Sequence, residues 1–140
     1  MIILIQGDPK PQARPRASRR GNHIHMYSPK TDWRNHCLKM LKKQDAYFDK
    51  AINLSMIFYM PRPKSHYRTG KFSHVLKDSA PSFHTKKPDV DNLSKAVLDA
   101  MTDAGILSDD SIVVQHYIYK KYTERETGVK IEIEKLDEEK

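Results

Sequence analysis

The chain has 140 residues, of which 38% are hydrophobic, and it carries a formal net charge of +7. This composition excludes a disordered chain and predicts one domain, residues 1–140. The modest hydrophobic core favours an oligomer, and the positive charge favours a nucleic-acid partner. The single cysteine excludes an intrachain disulfide, and the apolar N-terminal run is too short for a signal peptide or membrane span, so we expect a cytoplasmic protein without membrane contact.

The first half of the chain predicts two strands and a helix. A short buried strand at residues 1–5 ends before Gly7, and a Pro- and Arg-rich arm follows it, with room for one strand near residues 23–27. A helix is expected from Thr31 or Asp32 to about residue 46, because apolar residues recur there at helical spacing. Residues 51–60 alternate between apolar and polar side chains, which predicts a half-buried strand.

The second half contains the clearest helix. It follows a long polar connection, residues 61–88, and connections of this length tend to be functional or mobile. After Asp91, apolar residues recur at i, i+3 and i+4 until Gly105, which is placed to end the helix. Two strands are expected at residues 111–122 and 129–136. The predicted fold is therefore α/β, a mixed sheet flanked by helices, with α+β as the open alternative.

Four aspartates flank this helix: Asp89 and Asp91 at its start, and Asp109 and Asp110 after it. Each has an ordinary explanation, as a helix N-cap or as a turn former. If they meet in space, their like charges cost free energy unless a cation or protons neutralise them, and carboxylates are the ligands that Mg²⁺ and Mn²⁺ prefer. Such a centre activates water and orients a phosphate. Whether the chain carries Asp110 back to the helix start is left open by the sequence.

Basic residues surround the acidic cluster. Lys95 lies one helical turn beyond Asp91, where it can form an i, i+4 ion pair or face a scissile phosphate and stabilise transition-state charge. Positive charge is also concentrated in the N-terminal arm and before the first aspartate. From these segments we expect electrostatic contacts with DNA by Arg14, Arg16, Lys86 and Lys87.

The segment KKPDVDNLSKAVLDAM, followed by AGILSDDSIVVQ, resembles the RusA-type Holliday junction resolvases, small endonucleases often encoded by prophages. The N-terminal GDPKPQARPR and MYSPK also resemble this family. The resemblance implies that Asp89, Asp91 and Asp110 hold a catalytic Mg²⁺ or Mn²⁺ and that Lys95 contacts the phosphate. It also implies a homodimer that nicks four-way DNA junctions symmetrically.

The resulting prediction is a divalent-metal-dependent endodeoxyribonuclease that resolves four-way junctions by attack of a metal-activated water on the phosphodiester. A two-fold dimer presents two identical sites, as two symmetric nicks require. Two alternatives stay open. One is a basic DNA-binding protein without catalysis, whose aspartates only cap helices and turns, and the other is a nuclease for different branched DNA, such as flaps or forks.

Overall fold

The computed structural model describes residues 1–13, 16–27 and 31–138. Its helices and strands, in chain order, are β1 Ile2–Gln6, β2 Arg16–Arg20, β3 His23–Tyr27, α1 Asp32–Leu41, β4 Ile52–Pro61, α2 Val90–Asp103, β5 Val113–Thr123 and β6 Gly128–Lys135. Short 3-10 turns lie at Lys64–His66, Gly70–Phe72 and Asp110–Ile112. Within this part of the chain, neither helix has the length and apolar character that crossing a bilayer demands.

The sheet is mixed, as the α/β prediction requires. Its strand order is β1-β6-β4-β5, with β4 and β5 parallel and the other neighbours antiparallel. The arm differs from the prediction, because β2 and β3 pair as a separate antiparallel hairpin where one strand was expected. Helix α1 begins as predicted, with the Thr31 side chain accepting a hydrogen bond from Arg34 N at 3.2 Å. It ends at Leu41 rather than near residue 46.

The hydrophobic core lies between one face of the sheet and the two helices. Along β4 every second side chain is buried, because successive residues of a strand point to opposite faces. The largest fully buried side chains of β4 and the helices form one cluster: Ile52, Leu54, Met56, Phe58, Leu41, Leu93, Val97 and Met101. Burial of each such side chain contributes roughly 1.5–3 kcal/mol. The opposite face of the sheet carries exposed side chains such as Leu4 and Tyr117.

Helix α2 connects the parallel strands β4 and β5, so it runs in the opposite direction to both. Its C-terminal end lies near the start of these strands, where Ser108 N donates a hydrogen bond to Phe48 O at 2.9 Å. Its N-terminal end lies near their far end, where Tyr122 N donates to Ser82 O at 3.0 Å. The helix has 14 residues, which separates its two ends by about 20 Å.

Candidate active site

Asp89 occupies the N-cap position of α2, but its side chain does not cap the helix. The backbone there is extended (φ −71°, ψ 155°), and the exposed carboxylate accepts no hydrogen bond from the first turn. The helix still begins regularly, because Leu93 N donates to Asp89 O at 3.1 Å. The capping explanation therefore does not account for this side chain. Its carboxylate is accessible at the positive end of the helix dipole.

Asp91 lies in the first turn of α2, and Lys95 lies one turn further along the same face; both side chains are exposed. The i, i+4 ion pair between them is not formed. The ion pairs found among the described residues are Arg34–Asp103, Arg68–Asp78 and Lys130–Glu132. Neither the carboxylate nor the ammonium of this helix face is neutralised by the other.

Asp109 and Asp110 follow the C-terminal end of α2, whereas Asp89 and Asp91 lie at its N-terminal end. Asp109 has a structural task, since its carboxylate accepts a hydrogen bond from Ser111 N at 3.1 Å at the start of a 3-10 turn. Hydrogen bonds from the side chain and backbone N–H of Ser111 lower the pKa of Asp109. Asp110, the first residue of that turn, is exposed and has no such bond in the described structure.

Asp110 is not brought to Asp89 and Asp91 within one protomer. It directly precedes β5 at the C-terminal end of α2, about 20 Å along the helix from the two other carboxylates. Consistent with this separation, the described residues contain no group of three or more His, Cys, Asp or Glu side chains placed to hold a metal ion. The protomer therefore offers two carboxylates at one place and a third at another, and the shared metal site stays a prediction.

Lys120 is a residue of this region that the sequence did not point to. It lies in β5 opposite Phe58, on the helix-facing side of the sheet, and is half-buried. Its ammonium donates to Pro88 O at 2.6 Å and also to Lys86 O. Burial lowers the pKa of Lys120, and the negative charge of Asp89 opposes this effect. The sequence feature that could have indicated this residue is a lysine at a position of β5 whose side chain faces the core.

A cleft of about 810 Å³ opens beside Asp89. It is lined by residues 10–13 of the arm, residues 31–33 at the start of α1, residues 87–89 and Asn92. The arm is fixed to α2 by Gln12, whose backbone N donates to Asn92 O at 3.0 Å and whose side chain donates to Asp99 Oδ2 at 3.0 Å. Asp99 therefore holds in place one wall of a cleft that Asp89 also lines.

A family model described as Endodeoxyribonuclease RusA matches residues 6–134 of this chain. The chain belongs to the RusA endodeoxyribonuclease family. Among curated proteins, the uncharacterized protein YqaN of Bacillus subtilis (strain 168) is similar to it, with 31% identity over 126 residues, covering 87% of this chain and 87% of that protein. Membership confirms the resemblance seen in the sequence and identifies an endonuclease class that acts on DNA junctions.

The basic residues expected to contact DNA in this RusA family member lie in two segments. Lys86 and Lys87 are exposed immediately before Asp89, and the Lys87–Pro88 peptide bond is cis. Arg14 lies outside the described residues. Arg16 begins strand β2, where its backbone pairs with that of Tyr27. Of the four predicted contacts, the two lysines are thus placed directly beside the acidic pair.

The long connection of this RusA family protein folds onto the end of β5. The Tyr122 ring is surrounded by three cationic or titratable side chains, with the Arg62 guanidinium 5.3 Å from its centroid and the His66 and His84 rings at 4.6 and 4.9 Å. Burial, and then the charge of Lys120, lower the pKa of His84. The cationic side chains of Arg62, from the connection, and Lys120, from β5, therefore lie at the end of the sheet where α2 begins.

Proposed function

We propose that this RusA family protein is a divalent-metal-dependent endonuclease that resolves four-way DNA junctions by paired, symmetric nicks. The observation that carries the proposal is the pair of accessible carboxylates at the start of α2, Asp89 and Asp91. Neither makes the cap or ion pair that its position would ordinarily provide. Exposed Lys86 and Lys87 beside them suit the DNA backbone.

The donor set fits Mg²⁺ or Mn²⁺, because these ions bind one or two protein carboxylates and complete their shell with water and phosphate oxygens. A bound ion lowers the pKa of a water molecule and neutralises charge on the phosphate. Asp89 and Asp91 would hold such an ion at the helix start. Lys95, exposed on the same face as Asp91, would stabilise the negative charge that develops on the phosphate.

Asp110 can share this centre only if it comes from a second protomer. Within one protomer it follows the far end of α2, a helix about 20 Å long that begins at the pair. We therefore assign the third carboxylate to Asp110 of the partner subunit, which makes the homodimer a requirement of the proposed site. A two-fold axis then generates two equal centres, one for each nick.

Substitution of Asp89 by Asn tests the assignment of the acidic pair. The change removes one negative charge and keeps the size of the side chain. We expect junction cutting to disappear in Mg²⁺ while junction affinity, measured by gel shift in Ca²⁺, persists. Asp109→Asn is the matched control, because Asp109 has a structural hydrogen bond and its variant should cut normally. Cutting by Asp89→Asn at the wild-type rate would refute the proposal.

A subunit-mixing experiment tests where Asp110 acts. Heterodimers of Asp89→Asn and Asp110→Asn subunits, isolated with two different affinity tags, would contain one intact centre if each centre combines residues of two protomers. We expect these heterodimers to nick one strand of a junction, although each homodimeric variant is inactive. Heterodimers without nicking activity would show that Asp89 of one subunit and Asp110 of the other do not combine in one centre.

A panel of labelled DNAs tests the substrate. Four-way junctions, flaps, forks and linear duplex are incubated with Mg²⁺ or Mn²⁺, and the products are resolved on denaturing gels. We expect paired nicks at symmetric positions of the four-way junction. Preferential cutting of flaps or forks would assign a different branched substrate. Salt-sensitive binding without any nicking would favour the non-catalytic alternative.

A further inference from the structure

Beyond the backbone bridge between Phe83 and Lys121, the segment that leads into α2 is hydrogen-bonded to the sheet by a single side chain. Between residues 85 and 88, the hydrogen bonds to other parts of the described chain both come from the Lys120 side chain, which donates to Lys86 O and to Pro88 O. The second contact, at 2.6 Å, reaches the carbonyl of the peptide unit that joins Pro88 to Asp89. Fixing this carbonyl fixes the backbone from which the Asp89 side chain projects, since the peptide unit is planar.

We propose that Lys120 is a positioning residue, which holds the Asp89 carboxylate in place at the start of α2. The inference rests on the proposed function of Asp89 as a metal-binding side chain. An ammonium group has three N–H donors, and Lys120 directs two of them to backbone carbonyls on either side of Lys87. One side chain on a paired strand thereby orders an otherwise loosely attached segment.

The location of Lys120 supports this role. Its strand β5 is paired with β4 without interruption from Gln115 to Thr123, so the backbone at Lys120 is held by the sheet. The ammonium is also attracted electrostatically by Asp89 without forming an ion pair with it, because no oxygen of Asp89 lies within 4.0 Å. The Asp89 carboxylate is thus oriented through its backbone while its oxygens stay accessible for a ligand.

Lys121 provides a matched control. It is the next residue of the same strand and therefore points to the opposite face of the sheet. Its side chain is exposed and makes no hydrogen bond or ion pair with the described residues. Its pairing with Phe83 is a backbone bridge, which a side-chain substitution leaves intact. Lys120→Met and Lys121→Met thus remove the same charge from opposite faces.

The test compares these two variants and Lys120→Arg with the wild type in three measurements. The first is backbone hydrogen exchange over residues 86–91, the second is Mn²⁺ affinity by electron paramagnetic resonance, and the third is kcat and KM for junction cutting. In Lys120→Met we expect faster exchange in this segment and roughly 10-fold weaker Mn²⁺ binding, as for other residues that orient a metal ligand. We also expect kcat to fall about 10- to 100-fold with KM nearly unchanged.

Lys120→Arg should keep most of the wild-type exchange protection, Mn²⁺ affinity and kcat, because a guanidinium also donates to carbonyls. Lys121→Met should match the wild type in all three measurements. Exchange and Mn²⁺ affinity in Lys120→Met equal to those of Lys121→Met would overturn the inference. If the wild type binds Mn²⁺ and cuts no DNA, the proposed function fails, while exchange and Mn²⁺ affinity still decide the role of Lys120. If the wild type binds no Mn²⁺, exchange at Asp89 and Val90 decides whether Lys120 holds this segment.

Discussion

The two ends of helix α2 carry the same kind of residue in different surroundings. At the C-terminal end, Asp103 forms an ion pair with Arg34 of α1, and Asp109 beyond it caps a 3-10 turn. At the N-terminal end, Asp89 caps nothing and Asp91 forms no ion pair within the described structure. The comparison shows that an aspartate at a helix end becomes a candidate for function when its structural partners are missing.

Packing explains why the ends differ. The C-terminal end is enclosed by α1 and by the bridge between Phe48 and Leu107, and Arg34 is only 8% exposed there. A buried guanidinium requires a carboxylate partner, since an unpaired buried charge is costly. The N-terminal end opens to a cleft and to solvent, where unpaired carboxylates are tolerated. It is the end free to bind a cation and DNA.

Removal of one carboxylate at each end of α2 is the strongest test of whether the two ends differ in function. For Asp91→Asn we expect junction cutting to fall roughly 1,000-fold, because stabilisation of transition-state charge by a bound metal amounts to several kcal/mol. The melting temperature should stay within about 2 °C of the wild type, since an exposed residue without a partner contributes little to stability. Single-turnover cutting and thermal unfolding measure the two effects.

Asp103→Asn is the control at the other end of the helix. It should cut junctions at the wild-type rate at temperatures where it is folded. Equal losses of cutting in both variants would show that the two ends are not functionally distinct.

Lys95 is expected to show the next largest effect. Lys95→Met should lower kcat about 100-fold, because it removes a charge that stabilises the developing negative charge on the phosphate. KM for the junction should change little, and the fold should be unaffected because the side chain is exposed. Steady-state kinetics with a labelled four-way junction measure both constants. A rise in KM with unchanged kcat would instead identify Lys95 as a DNA-binding residue without a role in the chemical step.

Removal of the Arg34–Asp103 ion pair, at the packed C-terminal end of α2, should lower the stability of the fold. Asp103→Ala leaves the buried Arg34 guanidinium without its partner and should destabilise the fold by about 1–3 kcal/mol in urea unfolding. Asp78→Ala removes the partner of Arg68, a pair whose side chains are 50% and 100% exposed, and should cost under about 1 kcal/mol. Equal destabilisation by the two changes would refute the distinction between the packed and exposed pairs.

The smallest effect concerns acid stability at Asp109. Its pKa is lowered in the folded state, so its contribution is complete above the ordinary pKa near 3.8 and is lost as the pH falls through the folded value. Asp109→Asn should therefore be slightly less stable than the wild type at neutral pH, and the difference should vanish in acid. Melting temperatures between pH 2 and pH 7 measure it. A difference that grows as the pH falls would contradict the assignment.

Local patterns predicted most of the fold. Alternation predicted β4 and β6, and helical spacing predicted α2, because these elements bury one face against a core. Helix α1 ends at Leu41, short of the predicted end, and the chain beyond it makes a long-range contact that helical spacing does not encode, in which Phe48 N donates to Ile106 O at 2.8 Å. Strand β2 was missed because RASRR lacks the alternation of a strand with one buried face.

The candidate pair could be read from the sequence, since Asp89 and Asp91 are close along the chain, at the start of a helix that a local pattern encodes. Two other features depend on tertiary structure: Asp110 lies at the other end of that helix, and Lys120 contacts the segment before Asp89. Both follow from the parallel pairing of β4 with β5, because that pairing sets the direction of α2. Pairing between strands about sixty residues apart depends on long-range packing, which no local pattern specifies.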